Sequence, residues 1–404
     1  MYNNYYIKNK IKQKSCNRSM SSFSYVKLNN ILLVFYMTAT CWASIITSFI
    51  QIPNISAFIS IFICSCIFYY HKGSHLKKNT FKLFIFIVLI LLLSLFANYN
   101  NLVQNYFFFY LIFGFTALNL SNLDYNGNLI IKYSIYTYFI YIIVFMKRIY
   151  PQYFGTEDFG LLQMGWAYSF VPGVLWGVAL FMYSSFGEKK TLILKLIATF
   201  DIFFCSYIIL FNTITRGAIL AVLIGVFFIF ILKLNIAKRN LVVLFILFFV
   251  FILWLLFDIL LNELGLLLSD YNIGAINKLL FLSDGDDISN GRDLLYEKAY
   301  KIISSSPIIG HGVGYYELYN NIYVHQIFLQ LMCEFGIIGM IVFLFPIYRT
   351  LKSLYFSNAS YYTIVMIILM TSTLVNLLFS SAHWLVPNFW LMYFFSYRKI
   401  KNIK

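Results

Sequence analysis

Long apolar runs separated by short polar or basic segments dominate the chain. Twelve of these runs approach the roughly 17–25 residues that an α-helix needs to cross a bilayer. None shows the alternation in segments of about ten residues that is typical of a membrane β-barrel. The pattern therefore predicts an all-α, polytopic membrane protein with about twelve transmembrane helices. The predicted spans lie near 31–50, 53–70, 83–99, 105–121, 130–146, 164–185, 192–211, 217–233, 241–261, 326–346, 359–380 and 384–397.

One connection, 262–324, is much longer than the others. At roughly 60 residues it can form short helices but hardly an independent domain. The first apolar run is too long for the usual signal-peptide core and lacks a small-residue cleavage site, so we predict an uncleaved first span. The predicted parts are a basic segment 1–30, about nine helices in 31–261, the loop 262–324, about three helices in 325–397 and a basic tail 398–404.

Composition and charge agree with this layout. Hydrophobic residues make up 61% of the chain and charged residues 11%, whereas soluble proteins are about half apolar and a quarter charged. Disordered, collagen-like and nucleic-acid-binding proteins are excluded. The net charge of +15 is better explained by orientation than by an anionic ligand, because most basic residues fall in loops on the side of the two termini. This distribution predicts cytoplasmic termini and an extracytoplasmic loop in the cell inner membrane.

Metal and disulfide chemistry find little support. None of the six cysteines falls in a predicted outer loop, and no CxxC pair is present. The acidic run at 283–287 lacks the glycine and glutamate spacing of a calcium loop. His311, His325 and His383 could lie on the outer face, but they do not have the spacing of a zinc motif. We therefore expect neither a metal nor a cofactor.

A helix is predicted inside the long loop. Ser289 or Asn290 can cap it, apolar residues follow at helical spacing, and Pro307 stops it. Arg292 lies in the first turn, where free backbone N–H groups and the helix dipole favour an anion. An arginine is unfavourable there for the helix itself. Arg292 is therefore a candidate phosphate ligand, with pairing to a loop carboxylate as the alternative.

Glycines alternate with other residues just after this helix. Gly310 and Gly312 flank His311, and they allow the backbone to turn sharply or to approach a ligand closely. Without a preceding strand they do not form a dinucleotide-binding motif. All three residues are candidate supporting residues. For His311 a ligand or base role stands beside a structural hydrogen bond within the turn.

His325 introduces the tenth predicted span. Gln326, Gln330 and Glu334 follow at i, i+4 and i+8, so they lie on one face of the helix. Polar groups in the hydrocarbon are costly unless they face protein or water, which predicts that this face points into the bundle. A histidine at the outer mouth titrates near neutral pH and can act as a general base. An interfacial histidine without a role is the alternative.

Two charged residues in the apolar region are further candidates. Arg216 separates two apolar runs, and it either extends to the lipid headgroups or binds a phosphate with two hydrogen bonds. Asp201 lies inside the preceding span. An acidic residue within the membrane is a functional candidate by default, and pairing with a nearby polar group is the alternative.

Four motifs taken together resemble the O-antigen ligase/polymerase (Wzy-type) family. The resemblance covers about residues 200–345, and the other spans match only in being hydrophobic. The motifs are Thr215-Arg216-Gly217-Ala218, Asn290-Gly291-Arg292, the stretch from Ser306 to Gly314, and His325 to Gln330 followed by Glu334 to Gly339.

The resemblance implies a metal-independent glycosyltransferase that acts on the outer face of the cytoplasmic membrane. It implies that Arg216 and Arg292 hold the diphosphate of a polyprenyl-diphosphate-linked glycan and that His325 is the base. These residue types suit the chemistry, because a hydroxyl nucleophile must lose a proton and the leaving diphosphate gains negative charge. The implied partners are the lipid-linked donor and acceptor glycans and membrane lipids, with a chain-length regulator and a flippase as candidate protein partners.

Three functions remain open at this point. Polymerases of the family join repeat units, whereas ligases transfer the finished glycan to a lipid core. The compact stretch between His311 and His325 and the run from Glu334 to Gly339 resemble polymerases more closely, so O-antigen or capsular repeat-unit polymerisation is the preferred expectation. Gln326 stands where the family more often has asparagine. A lipid-linked oligosaccharide flippase is the alternative from another class, although paired halves and midplane charges would then be expected.

Overall fold

The computed structural model describes residues 25–71, 76–154, 156, 158–183, 189–213, 215–244, 292–357 and 360–397. Within these ranges all regular structure is helical, which confirms the predicted all-α fold. The predictions for the basic N-terminal segment up to residue 24, for residues 245–291 and for the basic tail lie outside the described residues. The division into five parts therefore stays a prediction.

Most helices of the described ranges follow the predicted apolar runs. The helices are α1 Tyr25–Met37, α2 Ala39–Thr47, α3 Ile55–His71, α4 Lys78–Ala97, α5 Asn101–Ser121, α6 Gly127–Tyr153, α7 Asp158–Tyr183, α8 Lys189–Tyr207 with a π turn Ile208–Asn212, α9 Arg216–Ile231, α10 from 236 to 244, α11 Arg292–Ser305, α12 Tyr315–Asn320, α13 Ile327–Phe356, α14 Tyr361–Phe379 and α15 Pro387–Tyr397. Of these, α11 and α12 lie in the predicted long loop.

Seven of the described helices are long and apolar enough to cross a membrane, and the bent pair α1 and α2 forms an eighth candidate span. Helices α3 and α9 are apolar but shorter. The described part of α15 has 11 residues, or about 16 Å, which is well short of a hydrocarbon core of about 30 Å. The protein is thus a multi-pass membrane protein, and the predicted total of about twelve crossings stays a prediction.

Helices α7 and α14 lie at the centre of the bundle. Within the most apolar 18-residue stretch of each helix, 61% of the residues are buried in α7 and 72% in α14, compared with 28% in α4 and in α8. The peripheral helices therefore turn apolar side chains outward, as expected where lipid replaces water as the surrounding solvent. Aromatic rings fill much of the interior. Trp384 and Trp390, for example, lie 5.4 Å apart between ring centroids.

The bundle has two ends, and long-range contacts agree with the alternating layout predicted from the apolar runs. At one end, Asn98 at the end of α4 donates a hydrogen bond to the carbonyl of His311 at 2.9 Å. At the other end, Asn29 in α1 donates to the carbonyl of Asp124 after α5 at 3.1 Å. We call the first end, which carries residues 292–326, the loop end.

Arg239 at the opposite end has a structural role that the charge pattern did not predict. The charge pattern places Arg239 among the basic residues on the side of the two termini, yet this residue is only 2% exposed. Its guanidinium caps carbonyl oxygens that the ends of α9 and α13 leave without helical partners. The acceptors are the carbonyls of Leu232, Leu234, Tyr355 and Ser357.

Helix α13 is broken at Gly336, whose φ of 61° and ψ of −169° are not helical. A break in a helix removes i to i−4 bonds and leaves carbonyl and N–H groups without partners. The loop 307–312 supplies those partners. The four bonds are His311 N–H to the Cys333 carbonyl at 2.9 Å, Gly312 N–H to the Glu334 carbonyl at 2.8 Å, Ile337 N–H to the Pro307 carbonyl at 2.9 Å and Ile338 N–H to the Ile308 carbonyl at 3.3 Å.

Two glycines make this loop–helix junction possible; by that name we mean residues 307–312 and 333–338. A Cβ on Gly336 would lie 2.3 Å from the Ile308 carbonyl, and one on Gly310 would lie 2.5 Å from the Phe335 nitrogen. Both glycines also have positive φ values, which glycine adopts without steric cost. The close backbone approach expected for the glycine-rich stretch is therefore an approach to α13.

Candidate active site

Residues from distant parts of the chain meet at the loop end. Arg292 is the first residue of α11, His325 precedes α13, and Ser380 follows α14. His325 has a φ of 61°, which is uncommon for a residue with a side chain and marks a backbone held by its surroundings. The two most important predicted site residues, Arg292 and His325, are brought together here.

The surroundings of His325 favour its neutral form. Burial lowers the pKa of His325, the positive charge of Arg292 lowers it further, and a hydrogen bond with the Ser380 backbone acts in the opposite direction. Its Nδ1 is buried and has no hydrogen-bond partner among the described residues. A neutral imidazole with a free ring nitrogen has the properties of a general base.

Tyr323 fixes the segment that carries His325. Its hydroxyl donates to the Ser380 carbonyl at 2.5 Å, and its ring centroid lies 4.1 Å from that of His325. Burial raises the pKa of Tyr323, while the nearby Arg292 guanidinium acts in the opposite direction. Arg292 thus acts on Tyr323 and His325 alike, which places its charge beside the candidate base.

Tyr168 links Arg292 to the helix that begins with Arg216. The guanidinium of Arg292 interacts electrostatically with the Tyr168 side chain. A Cβ on Gly217 would lie 2.0 Å from the Tyr168 hydroxyl, so this hydroxyl sits against the first turn of α9. Arg216 is the first residue of α9 and is half-buried. The glycine after Arg216 is therefore needed to make room for the tyrosine.

Two glutamines hold the start of α13. The side-chain oxygen of Gln326 accepts a hydrogen bond from the Leu329 N–H at 2.6 Å and so caps the helix. The side-chain oxygen of Gln330 accepts from the Val324 N–H at 3.1 Å. His325 is thus fixed by a bond on each side of it. Gln326 and Gln330 position the candidate base through the backbone.

The amide of Gln330 also bridges two buried carboxylates. Its nitrogen donates to Glu317 at 2.8 Å and to Glu334 at 2.7 Å. Each glutamate is only 1% exposed, and burial raises the pKa of Glu317. Tyr106 donates to Glu317 at 2.9 Å, and the indole of Trp384 donates to Glu334 at 3.0 Å. A largely satisfied buried polar network of this kind gives a rigid support. Of the predicted polar stripe, Gln330 and Glu334 face the interior, whereas the half-buried Gln326 lies just before the helix as its cap.

A comparison with known protein families tests the resemblance inferred from the motifs. Residues 202–344 match the O-antigen ligase family. Over this range, about a third of the chain, the protein is similar to the O-antigen ligase family. The matched range contains Arg216, Arg292, His325, Gln330 and Glu334. No curated protein and no solved structure matches the chain.

Within the matched range, His311 is engaged in structural contacts. Its Nε2 lies 2.9 Å from the Ser305 hydroxyl and 3.1 Å from the Ile302 carbonyl. Its ring stacks on Tyr315 with 4.3 Å between centroids. These contacts tie the loop 307–312 to the end of α11, and they favour the structural role that the sequence left open for His311.

Asp201 lies just before the matched range and is not brought to the loop-end site. It is fully buried in α8, eleven residues before Asn212, which corresponds to a depth of about 16 Å. Neither carboxylate oxygen has a hydrogen-bond partner among the described residues. The structural pairing that was the alternative for this residue is absent from those ranges as well.

No metal centre is found in the part of the chain that the structure describes, because no three histidine, cysteine, aspartate or glutamate side chains come together there. Sequence reasoning missed Tyr168, Tyr323 and Glu317. The chain has 33 tyrosines, so nothing distinguished these two. Glu317 could have been noticed in the sequence as an acidic residue eight residues before His325, between Tyr316 and Leu318.

Proposed function

We propose that this protein is a glycosyltransferase that polymerises polyprenyl-diphosphate-linked oligosaccharide repeat units at the outer face of the cytoplasmic membrane. The observation that carries the proposal is a partly buried His325 whose pKa is lowered by burial and by the charge of the Arg292 guanidinium at the loop end. The O-antigen ligase family match supports the same class of enzyme. The basic residues on the side of the termini support an extracytoplasmic position for this site.

In the proposed reaction, a hydroxyl oxygen of the acceptor sugar attacks the anomeric carbon of the donor. His325 takes the hydroxyl proton on its free ring nitrogen as the new carbon–oxygen bond forms. The bond between the anomeric carbon and the diphosphate oxygen breaks, and its electron pair leaves with the polyprenyl diphosphate. Arg292 and Arg216 stabilise the charge that develops there, because guanidinium groups bind phosphate oxygens with paired hydrogen bonds.

The positions of the residues support these roles. Arg292 stands at the N-terminus of α11, where the helix dipole adds to its positive charge. Arg216 stands at the N-terminus of α9, against which the Tyr168 hydroxyl lies. Two helix N-termini and two arginines suit a group with several negative charges. Gln326 and Gln330 hold the base through the backbone of α13 and Val324.

Transfer of a finished glycan to a lipid core is a second candidate function, because the matching family is described as O-antigen ligase. Donor, base and arginines would be the same, and only the acceptor would differ. Purified protein incubated with polyprenyl-diphosphate repeat units alone, without added metal, separates the two functions. A ladder of lengths supports polymerisation, and product only after addition of a lipid-core acceptor supports ligation.

Two variants test the catalytic residues. His325→Asn removes the base while keeping a residue that tolerates a positive φ, and we expect a loss of about 10²-fold or more in rate. Arg292→Gln should lose about 10²- to 10³-fold. Lys298→Gln, which removes a positive charge from the exposed side of the same helix, is the control and should react normally. Normal product in both test variants would overturn the enzymatic proposal, and so would transport of the lipid-linked glycan without new glycosidic bonds.

A further inference from the structure

A bend in the first span opens a crevice near the loop end. Helices α1 and α2 meet at an angle of 68°, and the Thr38 hydroxyl between them donates to the Val34 carbonyl at 2.7 Å. The crevice has a volume of about 90 Å³ and lies between this bend, α7, α14 and the start of α15. Asn376 lies three residues before the end of α14, so the crevice begins about 5 Å below that end.

The crevice is lined by neutral polar groups. No charged side chain is among its described lining residues. Hydroxyls and amides inside a membrane bundle are costly unless they have partners, so their accumulation at one place calls for a function. The polar lining side chains include those of Thr40, Tyr168, Ser169, Ser372, Asn376 and Asn388.

Two of these groups lack a partner in the described ranges. The Tyr168 hydroxyl and the Asn388 side-chain oxygen are buried and accept or donate no hydrogen bond there. Tyr168 as a whole is only 6% exposed. A buried polar group without a partner costs about 1–3 kcal/mol. A ligand that hydrogen-bonds to these atoms would remove that cost.

The crevice adjoins the candidate active site. Tyr168 lines it and also lies against Gly217, beside Arg216, within electrostatic reach of Arg292. On the opposite wall, the side chain of Asn376 accepts a hydrogen bond from the Ser381 hydroxyl at 3.3 Å. Ser381 follows Ser380, whose carbonyl anchors Tyr323 beside His325. Tyr168 therefore lies between the crevice and the first turn of α9, which begins with Arg216.

The chemistry of the lining indicates which part of a lipid-linked glycan the crevice could bind. A diphosphate requires positive charge, and a polyprenyl chain requires an apolar wall. Hydroxyls, amides and the aromatic faces of Tyr36 and Tyr138 match a sugar ring, which has hydroxyls at its edge and C–H groups on its faces. A volume of about 90 Å³ accommodates on the order of six water molecules, so it has room for one ring but not for a whole repeat unit.

We infer that this crevice is a subsite for one neutral sugar ring of the lipid-linked substrate, an inference that rests on the proposed function. Tyr168 and Asn376 hydrogen-bond the hydroxyl or amide groups of that ring. The ring is then placed next to the diphosphate held by Arg292 and Arg216. The subsite selects the sugar, whereas His325 carries out the proton transfer.

Kinetics of single variants test the subsite. Tyr168→Phe removes only a hydroxyl without a partner in the described ranges, so it should fold normally and raise KM about tenfold with a smaller change in kcat. Asn376→Leu should act in the same direction. Tyr183→Phe, which removes a tyrosine hydroxyl at the opposite end of α7, is the matched control and should leave KM unchanged. Equal KM values in wild type, Tyr168→Phe and Asn376→Leu would overturn the inference.

A binding measurement separates this inference from the proposed reaction. The probe is the free repeat-unit oligosaccharide, without lipid or diphosphate, observed by saturation-transfer NMR with the full-length protein. We expect binding to wild type and to His325→Asn, and loss of binding in Tyr168→Phe. Undiminished binding to Tyr168→Phe would contradict the subsite even if polymer forms. If wild type forms no glycosidic bonds, the proposed reaction is contradicted. A binding signal that depends on Tyr168 would still support the subsite in that case.

Discussion

Replacing Gly336 by alanine tests whether the loop–helix junction holds the active-site end together. A Cβ at this position would lie 2.3 Å from the backbone carbonyl of Ile308. Because the contact is with backbone, no flexible side chain can move aside. Alanine must either push the loop 307–312 away from α13 or change the backbone angles of the break. Both responses disrupt the four hydrogen bonds that join the loop to the helix.

The magnitude follows from the geometry. A non-glycine residue at a φ of 61° and a ψ of −169° costs about 1–3 kcal/mol in backbone strain. Each hydrogen bond that is lost costs about 0.5–1.5 kcal/mol, and more where the group stays buried. Disruption of even half of the junction therefore brings the loss to about 3 kcal/mol. Few single substitutions destabilise a protein by more.

Thermal unfolding in detergent measures this effect, with Gly165→Ala as the control. A Cβ on Gly165 would meet nothing within 4 Å, and alanine within a helix is favoured over glycine by about 0.5–1 kcal/mol. We expect a clearly lower Tm for Gly336→Ala and an equal or higher Tm for Gly165→Ala. Equal Tm values for the two variants would refute the structural role of the junction.

Two further predictions concern the two ends of the bundle. Because burial and the charge of Arg292 lower the pKa of His325, the neutral base persists below its usual range, and activity should fall only when the pH drops through that lowered pKa. Removing the charge with Arg292→Gln should raise the pKa of His325. A histidine NMR titration measures this pKa, and His325→Asn assigns its signal. An unchanged or lower pKa in Arg292→Gln would contradict the prediction. At the opposite end, Arg239→Lys loses the fork that binds several carbonyls and should cost at least ~2 kcal/mol in stability, whereas exposed Lys238→Gln should change it by less than ~0.5 kcal/mol. Similar unfolding midpoints for these two variants would rule out a capping role for Arg239.

The sequence predicted best where a periodic signal existed. Gln330 and Glu334 lie four residues apart on an apolar helix, and their inward orientation followed from the cost of polar groups in lipid. The structure buries both. His325 lies just before a span, as predicted, and Arg292 is the first described residue of α11. Only the resemblance implied that the two residues lie close together, because their proximity depends on how α11 packs against α13.

Features that depend on contacts between distant segments could not be predicted from the sequence. The break at Gly336 lies inside an unbroken apolar run, and its partner loop lies more than twenty residues earlier. The glycines of that loop indicated a close approach, but they could not indicate to what. Tyr168 has no distinguishing neighbour in a chain with 33 tyrosines and 44 phenylalanines. Arg239 resembled any basic residue after a span, since only tertiary packing supplies the carbonyls that it caps.

The break in α13 also has a consequence for biogenesis. Gly336 is buried and lies nine residues after Ile327, about 14 Å along the candidate span Ile327–Phe356. Each unpaired group in hydrocarbon costs several kcal/mol. Helix α13 therefore cannot settle in the bilayer by itself. In the proposed orientation, residues 307–312 are synthesised and translocated before α13, so the helix can insert against the loop. We expect assembly of this part of the protein to be vectorial, with the loop acting as the template on which the helix completes its insertion.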